Sequence, residues 1–122
     1  MQTVHPSAYL APTSVVEGDV SIGEDSSVWH HAVIRADLAP VSVGARSNVQ
    51  DGAILHVSTG HPVVIGDDVT IGHAAIVHGC TVGRESLIGM GAIVLDGADI
   101  GSHCIVGAGS LVTKGTTLPS GT

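Results

Sequence analysis

"LAPTSV VEGDVS IGEDSS VWHHAV IRADLA", residues 10–39, falls into blocks of six, each opened by an aliphatic residue: Leu10, Val16, Ile22, Val28 and Ile34. The frame resumes at Val43, Val49 and Leu55, and again at Ile65, Ile71 and Val77. It then drops one residue and runs through Val82, Ile88, Val94, Ile100, Val106, Val112 and Leu118. The second place of a block is often Gly, and the fifth is usually small or aliphatic. Such a period excludes an amphipathic helix, which repeats about every 3.6 residues, and a simple hairpin strand, which alternates about every two. It describes a triangular coil in which each block supplies one short strand and one corner. Three blocks close a turn of about 18 residues, and the heads stack inward as a narrow aliphatic column. The expected fold class is all-β, a parallel β-helix formed by residues 1–122 as a single domain, with strands of successive coils paired about 4.8 Å apart.

Composition agrees with a narrow interior. The chain has 17 Gly, no Phe, one Trp and one Tyr. Glycine serves corners that need positive φ or close backbone approach. A formal charge of −7 with only four Lys and Arg speaks against a nucleic-acid partner. No apolar run approaches the roughly 20 residues that span a bilayer, and no charged-then-apolar leader opens the chain, so no membrane partner is expected and a cytoplasmic location is. Cys80 and Cys104 are too few for a disulfide framework and read as buried thiols.

The period breaks where functional loops are expected. Nine residues separate Ile34 from Val43, and ten separate Leu55 from Ile65. "ADLAP" and "HVSTGHP" are therefore expected to bulge from the solenoid as small loops.

The coil count also sorts the histidines. His56 and His78 each follow a head and lie 22 residues apart, one coil plus the four-residue insertion. Arg35 follows Ile34 and lies 21 residues before His56, one coil plus the three-residue insertion. One column therefore reads Arg35, His56, His78. A second, on the preceding face, reads His30, Asp51, His73. Two imidazoles separated by the coil pitch can reach one ion, since Zn–N bonds are about 2.0–2.1 Å. His73 points off another face and can join the pair only from a neighbouring subunit, as in a threefold ring. Spacing alone leaves two readings open, a metal site or surface polar groups. His5, His30, His31, His61 and His103 read as surface residues.

"VIRADL", "NVQDGAILHV", "IGDDVTIGHAAIVHGCTVG" and "IGMGAIVLDGA" closely resemble the gamma-class carbonic anhydrases, over essentially all of residues 4–120. The resemblance implies a left-handed β-helix, a homotrimer, and an ion at each subunit interface, usually Zn2+ and sometimes Fe2+ or Co2+. It implies His56, His73 and His78 as metal ligands, His73 coming from the adjacent subunit. It implies Gln50 as the hydrogen-bond partner of the metal-bound water or bicarbonate, Arg35 and Asp51 as an interface ion pair, Asp37 as a second aspartate at the arginine site, and Asn48 as a pocket-side residue. The implied activity is that of a zinc-dependent carbonate dehydratase, a lyase that hydrates carbon dioxide to bicarbonate through a metal-bound hydroxide. The alternatives on this scaffold are a hexapeptide-repeat acyltransferase or thioesterase, and a non-catalytic trimeric assembly module. Neither inserted stretch holds a glutamate to shuttle protons, and the C-terminal helix that family members carry after the equivalent of "LPSGT" is absent from residues 1–122.

Overall fold

The computed structural model describes residues 1–122, which form 17 strands and no helix. Every strand pairs in parallel with the strand one coil away, so the heads stack in three columns. The first face aligns Val16, Ile34, Leu55, Val77, Val94 and Val112. The second aligns Val4, Ile22, Val43, Ile65, Val82, Ile100 and Leu118. The third aligns Leu10, Val28, Val49, Ile71, Ile88 and Val106. No head from Ile22 to Val112 is more than 8% exposed, which makes these columns the core. Aliphatic heads fill this interior because interiors are close-packed and a flat ring would find no void between coils.

The corner between the second and third faces is closed by a buried polar ladder. Ser26 Oγ donates to the Gly44 carbonyl at 2.6 Å and accepts from the Ser47 amide at 3.0 Å. Ser47 Oγ donates to the Gly66 carbonyl at 2.7 Å and accepts from the Val69 amide at 3.0 Å. Ser86 Oγ repeats the pattern with Gly101 and Cys104. These hydroxyls satisfy backbone groups that the turn would otherwise bury unpaired. Asp25, Arg46, Asp68, Glu85 and His103 take positive φ at this corner, one per coil.

The first inserted stretch bulges inside a long strand. Val33–Val43 is one strand in which Asp37, Leu38, Ala39 and Pro40 oppose the single Asp19, so "ADLAP" bulges as expected, with Leu38 58% exposed. It pairs along Val15–Ile22, with a bulge between Gly18 and Val20. Gly18, at φ +84°, admits the neighbouring chain so closely that a Cβ there would collide with the Ala36 carbonyl. Ala36 is thereby drawn inside, at 5% exposure. Because these two strands run past the corner, the first and second faces form one sheet of 11 strands and the third face a sheet of six. The second insertion is a turn, as expected. The Ser58 and His61 backbones bond to each other across it, the His61 amide reaching the Ser58 carbonyl at 2.9 Å, with Gly60 at φ +78°.

Candidate metal centre

Both histidine columns have the expected register. Arg35 pairs with His56, and His56 with His78, on the first face. His30, Asp51 and His73 follow the third-face heads Val28, Val49 and Ile71, and the Asp51 carbonyl accepts from the Ala74 amide beside His73 at 3.0 Å.

The His56 and His78 rings meet edge to face rather than flat. Their centroids lie 4.8 Å apart at 74°, and His56 Nδ1 is 2.9 Å from His78 Nε2. The other nitrogen of each ring meets a carboxylate. His56 Nε2 lies 3.0 Å from Asp37 Oδ1, and His78 Nδ1 hydrogen-bonds Asp96 Oδ1. Asp37 reaches Arg35 with its other oxygen, at 3.2 Å, and Asp96 accepts from Ser58 Oγ at 2.8 Å. A continuous chain results: Arg35, Asp37, His56, His78, Asp96, Ser58.

Partial desolvation opposes ionisation of Asp37, but the His56 hydrogen bond, its own backbone amide and the Arg35 charge outweigh it and hold the carboxyl below the usual range. Asp96 is lowered in the same way, with desolvation outweighed by hydrogen bonds from His78 and Ser58. A cation between His56 Nδ1 and His78 Nε2 would take the lone pairs that these nitrogens turn toward each other, and the two carboxylates would remain as outer partners of the ligating rings. The donor set fits a metal.

His73 does not join this pair within one chain. No group of three or more His, Cys, Asp or Glu side chains in one chain is placed to hold an ion. His73 is half-exposed on the third face, its Nδ1 3.9 Å from Asp51 Oδ1. With Gln50 it lines a groove of about 450 Å³ floored by Gly72, Gly89 and Gly107. Gly72 and Gly89 are required by close approach: a Cβ on Gly89 would meet the backbone of Val106 and Ala108. The Gln50 amide makes no side-chain hydrogen bond inside the chain, and the Asn48 Oδ1 is buried without a partner. Arg35 is paired with Asp37 in the chain, while Asp51 stands on the other face beside His73.

Asp96 and Ser58 escape a reading of columns. The available signal is the step from Val77 to Val82, five residues where six is the rule. Cys80, buried beside this gap, is an inert thiol pushed up to about 12 by desolvation.

Three stacked faces with a histidine pair at one corner define a β-helix of the hexapeptide type. Residues 79–114 match the bacterial transferase hexapeptide (six repeats) family. Gamma carbonic anhydrase 1, mitochondrial, of Arabidopsis thaliana is 48% identical over 97% of this chain and 45% of its own length. A carbonic anhydrase of Geobacillus kaustophilus is 49% identical over 75% of this chain and 50% of its own. The crystal structure of a hexapeptide transferase family protein from Anaplasma phagocytophilum superposes with a TM-score of 0.95 at 39% identity, over 98% of this chain and 70% of that one. The chain belongs to the hexapeptide-repeat family of left-handed parallel β-helices, and its curated relatives at 44–49% identity include proteins named gamma carbonic anhydrase. It spans about half the length of the curated relatives it matches.

Proposed function

We propose that this chain builds a carbonic anhydrase centre, a lyase site interconverting carbon dioxide and bicarbonate, between adjacent copies of itself in a homotrimer. The observation that carries this reading is the split donor set. His56 and His78 face each other at one corner, whereas His73 stands on another face with Gln50.

Surface character supports assembly through those faces. Exposed apolar side chains lie on the first face, at Val15, Ile54 and Leu111, and on or beside the third, at Tyr9, Trp29, Leu87, Met90 and Ile105. The second face is mostly polar outside, with Thr3, Ser21, Ser42, Thr81, Asp99 and Thr117 and the single exposed Val64. Large apolar patches on soluble proteins mark interaction sites.

His56 and His78 of one copy with His73 of the next would hold the ion, and three imidazole nitrogens suit zinc, with iron or cobalt as alternatives. When bound, such an ion supplies the Lewis acidity that makes a water acidic near neutral pH. Gln50, with its amide free, donates to an oxygen of carbon dioxide or bicarbonate and turns it toward the histidines. Asp37 and Asp96 keep the outer nitrogens of His56 and His78 protonated, so that the inner ones stay free for the ion. Arg35, beyond its bond to Asp37, would meet Asp51 of a neighbour as an ion pair that sets the register of the copies. An acyl-transfer centre needs one general base; the paired rings, each with its own carboxylate, favour a ligand role.

The test is metal content after anaerobic purification, followed by carbon dioxide hydration with the metal restored. Stoichiometric metal and hydration lost together in His56→Ala are expected. Protein free of any transition metal and unable to acquire one overturns the reading.

A further inference from the structure

We propose that Asp96 is the positioning residue of this centre, holding His78 by Nδ1 so that Nε2 is the nitrogen turned to the ion. The proposal rests on the metal reading above and adds to it a residue from the next coil that touches no substrate.

Three observations converge on Asp96. Its carboxylate is fixed at both oxygens, Oδ1 by His78 Nδ1 and Oδ2 by Ser58 Oγ at 2.8 Å. The side chain is 16% exposed, against 42% for Asp37 on the other ring, so solvent competes less for it. The backbone is also cut to receive it. The regular coil Val94–Ile100 has six residues per step and the coil below has five between Val77 and Val82. Gly97 sits over Gly79, donating to its carbonyl at 2.8 Å, so Asp96 is the extra residue of the upper step, its carboxylate against His78 and Gly79 of the coil below. Gly79, at φ +57°, has to be glycine here, because a Cβ would collide with the Asp96 carboxylate on one side and the His61 side chain on the other. The shortened step, the small residue and the Ser58 turn all serve one contact.

An imidazole with a carboxylate on one nitrogen has its tautomer and its ring orientation set, and the other nitrogen becomes the better donor. Asp37 gives His56 a similar partner but shares it with Arg35 in solvent. Of the two rings, His78 is the more firmly held.

Zinc affinity of the full chain, read by competition with a chromogenic chelator, tests this in Asp96→Asn, Asp96→Ala, Ser58→Ala and Asp99→Asn. Loss of an outer partner weakens metal binding by about 10–100-fold. Asp96→Ala is expected near the upper end of that range. Asp96→Asn, which keeps one acceptor oxygen, is expected near the lower end, and Ser58→Ala below it. Asp99→Asn, on the second face, is expected to bind as wild type. Ring 15N shifts of metal-free protein give a second readout: His78 carries a proton on Nδ1 in wild type and loses that preference in Asp96→Ala. Wild-type zinc affinity in a folded Asp96→Ala, or in Asp96→Asn if the alanine variant does not fold with unchanged ring shifts, overturns the role of Asp96 and leaves the metal centre standing. Failure of the wild type itself to bind zinc, and iron or cobalt in its place, overturns the centre, and the proposal with it.

Discussion

Two corners of the same triangle obey different rules. At the corner after the second-face heads, from Ile22 to Ile100, every step to the third face is six residues, and a ladder of Ser26, Ser47 and Ser86 closes it. At the corner after the first-face heads the step varies. It is nine residues after Ile34, ten after Leu55, five after Val77 and six after Val94. Arg35, His56 and His78 each stand at the head of an irregular step, and Asp37 and Ser58 lie within two of them. The constant corner satisfies its own backbone, and its charged side chains, such as Arg46 with Asp68 and His103 with Glu85, pair in solvent without bringing two imidazoles together. The variable corner spends its irregularities on aiming polar groups, which a strict coil of one pitch would hold in parallel columns. A solenoid can absorb such breaks because each coil depends mainly on its neighbours.

The largest expected effect breaks the variable corner outright. A His56→Ala chain and a His73→Ala chain, each purified alone, should hold no tightly bound metal. Mixed at equal amounts, about a quarter of the junctions bring an intact His56/His78 pair to an intact His73, by counting in a threefold ring. Metal recovery to that level, with mixed assemblies verified by mass, is the expected result. No recovery would mean that one chain supplies all three ligands or that the chains do not assemble this way.

Gln50→Ala should leave metal content and assembly unchanged while lowering hydration by about 10–1000-fold, the cost of losing one oriented hydrogen bond in a transition state. Unchanged turnover removes Gln50 from the mechanism. The constant corner should respond the other way. Ser47→Ala leaves the Val69 amide and the Gly66 carbonyl without their side-chain partner in the interior. A destabilisation of about 1–3 kcal/mol is expected in denaturant unfolding, with zinc affinity unaltered. A variant that lost metal but not stability would erase the distinction between the corners.

How much was legible follows the same division. Heads every six residues identify the solenoid and its core, since a period longer than a strand alternation and shorter than a coil has few physical meanings. The columns Arg35–His56–His78 and His30–Asp51–His73 come from counting, because parallel pairing transmits register from coil to coil. Counting is blind to contacts that leave the column. Asp96 reaches down one coil and Ser58 crosses from an inserted turn, so neither sits at the repeat position of the ring it serves. The bulge of "ADLAP" was legible from the nine-residue step, but the close approach of Ala36 to Gly18 was not, because it depends on a residue of the coil beneath.

The smallest effect separates the corners by acid and salt. Asp68 at the constant corner is held below the usual carboxylate range by its hydrogen bond from Arg46, and Asp96 at the variable corner by His78 and Ser58 against desolvation. For both, the folded carboxyl sits below its unfolded value of about 3.9. Each therefore contributes stability that is present above about pH 4 and is lost as pH falls through the lower, folded value. Asp68→Asn and Asp96→Asn should each flatten the loss of stability below pH 4 in low salt. Asp68 and Arg46 are 41% and 50% exposed, so about 1 M salt, where the Debye length shrinks to about 3 Å, should screen their pair and make Asp68→Asn indistinguishable from wild type. Asp96, at 16% exposure against a histidine at 27%, is screened less, and its variant should still differ from wild type in high salt. Acid titrations of unfolding at the two salt concentrations decide it, and equal salt sensitivity at both positions would mean that the Asp96 pair is no more sheltered than an ordinary surface bridge.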